Sequence, residues 1–351
     1  MLPWLVLQED GFSLEFRVMS DLGAVAESSL LAESVGNNAY VLQERIIVPP
    51  HLAGKAAGFS ARTVAPSRCN DPLILIGHPD LPVQYSSIIA RTEKGKARVE
   101  KCDAAIRIIA EGMSLLFSAA IFCASARTEH SFSSAFNRIS EVLIACHMRE
   151  AAIARTWLFM EDILRDYDML NKAREKFFTK WFSSAKHFIP ASTGIHGRIL
   201  GNQVLSIEFC AFSGERLSIR QPDSPLQNEP TDYGKLFSRV VVVQFPNNKL
   251  VFISGTASID RNGASVHTGN FERQMAFVLE VVSAILREVD GKSSNVMQAA
   301  VYLKRSTDIN ACIRILDEAE FPRARTLFHL DVDLCRDNLL CEIEATAVIP
   351  R

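Results

Sequence analysis

The clearest patterning lies in the second half of the chain. "RVVVVQF" (239–245) and "KLVFISGTASI" (249–259) are β-branched, apolar runs parted by Pro246, Asn247 and Asn248, which predicts a hairpin. In "NFERQMAFVLEVVSAILREVDG" apolar residues recur at helical spacing from Met275 to Ile285, with Asn270 placed to cap the helix and Gly291 to end it. "VMQAAVYLK" (296–304) predicts a strand and "TDINACIRILDEAE" (307–320) a helix, while "TLFHLDVDL" and "LLCEIEATAV" predict two closing strands around the turn Asp337-Asn338. The order is ββαβαββ.

A similar order runs upstream: "MSLLFSAAIF", a helix near 133–149, the strand "AAIARTWLF" (151–159), a helix near 166–183 and the strand "VLSIEFCAF" (204–212). "RTWLFMEDI" and "AVYLKRSTDI" are each a strand with an aromatic centre running into an Asp-Ile helix start, and "IPASTGI" and "FPRARTL" each follow the second helix. This predicts an internal duplication, with periods too long for a solenoid and suited to two α+β domains. Residues 1–100 are cut into short pieces by Pro49-Pro50, Pro66 and "GHPDLPVQY".

Composition narrows the class. A chain of 351 residues, 48% hydrophobic, can bury one large core or two ordinary ones. Its 38 basic and 40 acidic residues nearly balance, which argues against a nucleic-acid partner. The longest apolar stretch, "GMSLLFSAAIFCASA" (112–126), is too short for a bilayer, so no membrane partner is expected either. The opening "MLPWLVLQED" does not match a secretory signal. Eight cysteines stand singly, without CxxC pairs or histidines at metal spacing; we expect no metal site, reduced thiols and a cytoplasmic setting.

Several of these motifs, taken together, resemble a known family. "LVFISGTASIDRNGASVHTGNFERQ", "AAVYLK", "FPRAR" and "CEIEATAV" resemble the Rid/YjgF (reactive-intermediate deaminase) fold. "RTWLFMEDILRDYDMLNKAREKFF", "IPASTGI", "DYGKLFSR", "SGTAS" and "CRDNLLCEIE", in that order over about residues 113–350, resemble the chorismatases, which carry two such domains in one chain. The resemblance implies an α+β fold of two tandem Rid/YjgF-like (chorismate-mutase-like) α/β domains packed side by side, 1–212 with a divergent leading segment and 213–351 carrying the catalytic glutamate. It implies cleavage of the enolpyruvyl ether of chorismate to pyruvate plus a hydroxybenzoate, 3-hydroxybenzoate favoured. No cofactor is implied, the partner is a small dicarboxylate, and the chain is a monomer or small homo-oligomer.

A vinyl ether opens when its methylene carbon is protonated, which calls for an acid that keeps its proton near neutral pH and fixed cations for the carboxylates. Glu342 fits the acid: its apolar strand neighbours should raise a carboxyl from about 4.3 towards neutrality. Strand alternation puts Glu344 on the same side, where a shared site could raise one of the pair further, and the competing reading is a solvated face. The resemblance implies Arg174, Arg239 and Arg325 as carboxylate partners, with Arg323 the rival of Arg325 in register. For each arginine the competing reading is a surface charge. Tyr233 is a candidate substrate donor or, alternatively, a turn tyrosine capping a strand. Cys335, seven residues before Glu342, resembles the product-sorting position of the branch that forms 3-hydroxybenzoate; otherwise it is a small apolar thiol. Ala257 in "SGTAS" would line the substrate site, although a glycine there would agree better with that branch, and both "PASTG" and "SGTAS" read otherwise as tight loops. His267 and His329 read as structural.

The segment "QPDSPLQNEPTDYG" departs from the chorismatase pattern, which leaves a Rid-type enamine or imine hydrolase as the second reading and a non-enzymatic small-ligand binding module as the third.

Overall fold

One strand order occurs three times along the chain. The computed structural model describes residues 5–19, 39–54, 73–123, 127–149, 151–182, 189–201 and 203–351. The first sheet holds β1 (Leu5–Glu9), β2 (Phe12–Met19), β3 (Ala39–Val48), β4 (Leu73–Ile76) and β5 (Gln84–Thr92). Next come β6 (Ala97–Cys102), β7 (Ala105–Ala110), β8 (Met113–Ser118), β9 (Ile121–Cys123), helix α1 (Glu129–Ala145), β10 (Ala152–Met160), helix α2 (Ile163–Phe182), β11 (Ala191–His196), β12 (Arg198–Ile199) and β13 (Leu205–Ser213). The third set is β14 (Ser218–Arg220), β15 (Val240–Gln244), β16 (Asn248–Ala257), helix α3 (Phe271–Glu288), β17 (Val296–Leu303), helix α4 (Ile309–Glu318), β18 (Thr326–Leu330) and β19 (Cys341–Pro350).

In every sheet an antiparallel pair is followed by two parallel strands, and the last strand inserts between them: β2-β5-β3-β4, β8-β13-β10-β11 and β16-β19-β17-β18. The α+β class is as expected, and the topology carries the repeat further, because residues 5–92 build a third sheet of the same order. The turn at Asp337-Asn338 does not make a hairpin: among the described strands β18 pairs with β17 alone, in parallel, and β19 lies between β17 and β16. This is a correction with a simple cause, since the parallel β17-β18 pair already occupies that edge.

Local signals explain the element ends. Thr128 Oγ1 accepts from Ser131 N at 3.1 Å at the start of α1, and Asn270 Oδ1 accepts from Arg273 N at 3.0 Å at the start of α3. Helices α1 and α2 cover the outer face of the second sheet through Phe132, Phe136, Leu170 and Phe178. Helices α3 and α4 cover the third through Met275, Val278, Ile285 and Leu316. The inner faces of all three sheets meet in a common core that includes Phe12 and Leu42 from the first, Trp157 and Phe212 from the second, and Phe252 and Val348 from the third.

Hydrogen bonds stitch the seams between sheets. Gln84 Nε2 donates to Phe328 O at 2.7 Å and its Oε1 accepts from Phe328 N at 2.7 Å, joining the first and third sheets. Gln298 Nε2 donates to Arg17 O and Ser87 O across the same seam. Arg45 Nε donates to Glu208 Oε2 at 2.5 Å between the first and second. Between the second and third, Ser238 N donates to Pro190 O at 2.9 Å and Ser192 N to Ser254 Oγ at 2.8 Å.

Cys102, at the end of β6, and Cys146, just past α1, are joined in a disulfide, which corrects the expectation that the thiols are all reduced. A separation of 44 residues leaves no local motif to announce the pair. Cys210, Cys312, Cys335 and Cys341 are free, Cys123 is buried at the end of β9, and Cys69 lies outside the described residues. Among the described residues no helix is long and apolar enough to cross a membrane. Closing a loop of this length removes enough unfolded-chain entropy for about 2–4 kcal/mol. Urea unfolding monitored by circular dichroism, with and without reductant, should show a loss of that size on reduction, and Cys102→Ala should be insensitive to reductant.

Candidate active site

Alternation along β19 sorts its side chains cleanly. Cys341, Ile343, Ala345 and Ala347 face helices α3 and α4, whereas Glu342, Glu344 and Val348 face the meeting point of the three sheets. Glu342 is 4% exposed and Glu344 6%, so the reading of a solvated face is excluded.

Glu342 opens into a cavity of about 60 Å³ at the seam between the second and third sheets. β16 makes room for its carboxyl. The β16–β19 register slips between Ile253 and Thr256, and a Cβ on Gly255 would lie 1.8 Å from Glu342 Oε1. Gly255 N donates to Thr193 Oγ1 at 2.9 Å, which ties this bulge to β11.

Helix α2 contributes Tyr167 and Arg174, seven residues apart and so on one face. The extended stretch ahead of β15 contributes Lys235, Phe237 and Arg239 at alternate positions, and the loop before β19 contributes Cys335 and Arg336. Phe237 organises two of the cations: Arg174 Cζ lies 5.3 Å and Arg239 Cζ 5.7 Å from its ring centroid. Lys235 Nζ lies 5.1 Å from the Tyr167 ring. Arg239 Nε donates to Asn228 O at 3.1 Å, and Arg336 Nη1 to Gly263 O at 2.8 Å.

Four cationic side chains therefore line a cavity whose one carboxyl is Glu342. Burial pushes that carboxyl up to about 8, with the charge of Glu344 adding to the rise and Arg239 and Arg155 opposing it. Burial pushes the Cys335 thiol up to about 12, so it is a neutral, polarisable wall of the cavity. Burial also lowers Lys235 from its ordinary value. The arrangement suits a small anionic ligand beside a protonated acid.

Of the residues singled out from sequence, Glu342, Cys335, Arg174, Arg239 and Ala257 come together here. "PASTG" and "SGTAS" are strand segments, not tight loops, and Ser192, Gly194, Gly255 and Ala257 face the cavity. Glu344 does not line this cavity. It lines a smaller one of about 20 Å³ at the junction of the sheets, where Arg155 Nη2 donates to its Oε2 at 2.5 Å. The structure therefore does not bring it together with the other candidate ligands.

Arg325 is also displaced from the site. It sits at the start of β18, four residues before the His329 that pairs with Tyr302, and its Nη1 donates to Ser294 O and Val296 O. The rival Arg323 pairs with Asp317 on the outer surface. Tyr233 ends the 3-10 turn Pro230–Tyr233, and its side chain lies outside the described structure. His329 is buried against Tyr302, ring centroids 4.6 Å apart, and burial lowers it to about 3, so it is neutral. Among the described residues no group of acids, cysteines and histidines is arranged to hold a metal.

Sequence reasoning missed Tyr167, Lys235, Phe237 and Arg336 as cavity residues. Only the alternation Lys235-x-Phe237-x-Arg239 offered a signal, three side chains on one face of an extended segment.

Comparison with known proteins agrees with this architecture. Residues 230–349 match the family described as Endoribonuclease L-PSP. Over 222 residues the chain is 28% identical to a 3-hydroxybenzoate synthase from Streptomyces hygroscopicus, a match covering 56% of this chain and 64% of that relative's length. A crystal structure of a chorismatase superposes with a TM-score of 0.71 at 16% identity, covering 97% of this chain and 100% of the other, which establishes the shared fold.

Two outcomes follow from the burial of Glu342. A carboxyl that holds its proton more tightly folded than unfolded disfavours folding increasingly as pH rises from the ordinary carboxylate range to about 8. Glu342→Gln should therefore be the more stable protein at pH 9, at up to about 1.4 kcal/mol for each pH unit of that window, with the difference vanishing near pH 4. Thermal unfolding across pH measures it. Gly255→Ala should cost about 1–3 kcal/mol in chemical unfolding, because its methyl must displace the Glu342 carboxyl.

Proposed function

We propose that this chain, a chorismatase-like protein of the Rid/YjgF fold, cleaves the enolpyruvyl ether of chorismate to pyruvate and a hydroxybenzoate, 3-hydroxybenzoate being the favoured product. The observation that carries the reading is a buried carboxyl, raised to about 8, facing four cations in one closed seam. Chorismate has two carboxylates and one acid-labile vinyl ether. The cavity offers cations in excess for the former and a proton for the latter.

In this reading Arg174, Arg239, Lys235 and Arg336 hold the carboxylates, and Glu342 delivers its proton to the methylene carbon. The ether becomes an oxocarbenium ion, and its bond to ring C3 breaks with the electron pair passing to the ether oxygen, so that pyruvate leaves with that oxygen. The C4 hydroxyl oxygen bridges to C3 as a 3,4-epoxide, the epoxide opens at C4, and loss of the C3 proton to the Glu342 carboxylate aromatises the ring to 3-hydroxybenzoate and restores the acid. The atoms of chorismate equal those of pyruvate plus a hydroxybenzoate, so this branch takes up no water. The alternative product, a dihydroxycyclohexadiene carboxylate, requires one water. The neutral Cys335 thiol and the methyl of Ala257 form apolar cavity wall, which supports the water-free branch.

All three seams are filled within one chain, which supports a monomer. The free thiols of Cys210, Cys312, Cys335 and Cys341 fit a cytoplasmic setting, and the Cys102–Cys146 disulfide is the observation that pulls the other way. A Rid-type hydrolase remains the second reading, favoured by the fact that the family match is confined to 230–349, the segment that carries Glu342.

Incubation with chorismate, with chromatography of the aromatic products and enzymatic assay of pyruvate, should give equal amounts of pyruvate and 3-hydroxybenzoate. In heavy water the pyruvate methyl should gain one deuterium. The rate should fall as pH rises through about 8, where the acid loses its proton. Glu342→Gln should reduce kcat by about 10²–10⁴-fold with the circular dichroism unchanged. No pyruvate from folded protein, together with ammonia release from an enamine generator, would replace this reading with the second.

A further inference from the structure

Glu344 is buried on the same face as Glu342 but belongs to a different cavity, so its function needs its own account. Residues two apart on a strand are separated by roughly 6.6 Å along the backbone, close enough for their charges to interact strongly where water is excluded. Arg155 Nη2 lies 2.5 Å from Glu344 Oε2 and donates at 2.5 Å to Thr193 Oγ1. Thr193 Oγ1 in turn accepts from Gly255 N at 2.9 Å, and Gly255 is the residue against which the Glu342 carboxyl rests. A continuous set of contacts thus runs from Glu344 through Arg155, Thr193 and Gly255 to Glu342.

We propose that the buried Arg155–Glu344 ion pair is a positioning device for Glu342: it fixes a negative charge one strand repeat behind the acid and so keeps Glu342 protonated. Glu344 then acts on the reaction through Glu342, without touching substrate. This rests on the reading of Glu342 as the proton donor.

Every charged or titratable group around Glu342 has a place in the balance. Glu344 on β19 opposes ionisation of Glu342, and Arg155 on β10 and Arg239 ahead of β15 favour it. Arg174, Lys235, Arg336 and Tyr167 face it across the cavity. Cys335 is neutral, and Tyr302, the cross-strand neighbour of Glu342 on β17, is held neutral by burial. Behind Glu344 lie Arg45, Tyr302 and the neutral His329. With Glu344 neutral, the cations would face Glu342 unopposed and draw off its proton.

The geometry also separates this role from a merely structural one. Arg45 and Glu208 make the same kind of pair at the seam of the first and second sheets, but Ser206 stands where Glu342 would be, two residues before the acid on the same face. The clamp is structural in both places. Only the one at Glu344 has an acid beside it to influence.

The test is the titration of Glu342 followed by ¹³C NMR of the labelled carboxyl in unliganded protein, which needs no substrate and so stands or falls apart from the chorismate assay. Glu344→Gln keeps the shape and removes the charge; it should lower the Glu342 midpoint by about one pH unit or more. Glu344→Asp, which retains the charge, should stay near the wild-type midpoint. In a chorismate assay, the alkaline limb of kcat should move down by the same amount in Glu344→Gln, with KM at low pH unchanged. An unmoved midpoint in Glu344→Gln overturns the proposal. Should that variant fail to fold, the wild-type titration decides: Glu344 must stay ionised while Glu342 titrates, and a protonated Glu344 at pH 7 overturns the proposal equally.

Discussion

Two carboxyl groups buried two residues apart on the last strand set the terms for everything around them. Taking a carboxylate out of water costs several kcal/mol, and the fold meets that cost differently at the two positions. Glu344 receives a guanidinium at 2.5 Å. Glu342 keeps its proton instead, because its cations act on it through space while burial and Glu344 hold the carboxyl up. An ion pair and a neutral acid are the two stable ways to bury a carboxyl, and β19 uses both.

The threefold repetition of strand order explains where these groups come from. In the second and third sheets an arginine or glutamine, Arg155 or Gln298, stands across from the residue two places after the buried acid, Cys210 after Glu208 or Thr346 after Glu344. In the first sheet Arg45 stands across from Ser86, two places after Gln84. Each of these side chains then reaches over its seam to the next sheet: Arg45 to Glu208, Arg155 to Glu344, and Gln298 to the backbone of Arg17 and Ser87. The seams are variations on one clamp, charged in two cases and neutral in the third. What sets the seam between the second and third sheets apart is the additional acid at Glu342, with the bulge at Gly255 that gives it space.

This also accounts for what could be read from the residues alone. The elements of the last 110 residues were legible because β-branched alternation, the Asn270 cap and the Pro246-Asn247 turn act locally. The first sheet was not: the Asp10-Gly11 turn between β1 and β2 was a signal left unread, while residues 20–38 and the proline-broken stretch 49–72 separate β2, β3 and β4 and no periodic run marks their pairing. Glu342, Arg174 and Arg239 were found through motif order, whereas the partner of Glu344 lies 189 residues away and no short-range pattern points to it. Arg325 shows the opposite: a local motif named it, and at the start of β18 its guanidinium bonds to the carbonyl oxygens of Ser294 and Val296, away from the residues that line the cavity. Arg336 escaped notice because it lies in a connecting segment where no period singles out a face, and Lys235 because its alternation with Phe237 and Arg239 is only three side chains long.

Among the described side chains that line the cavity, cations outnumber carboxyls. A protonated Glu342 contributes no charge, so Arg174, Lys235, Arg239 and Arg336 face one another across a small cavity, held by aromatic faces and backbone carbonyls. A dianion placed among these cations would pair with them, and its own charge would make ionisation of Glu342 harder still. In the proposed reaction the acid therefore holds its proton once substrate is bound and gives it up only as the methylene carbon takes it. The cations that hold the two carboxylates then also stabilise the carboxylate that Glu342 becomes, so that binding energy keeps those charges in place for the transition state.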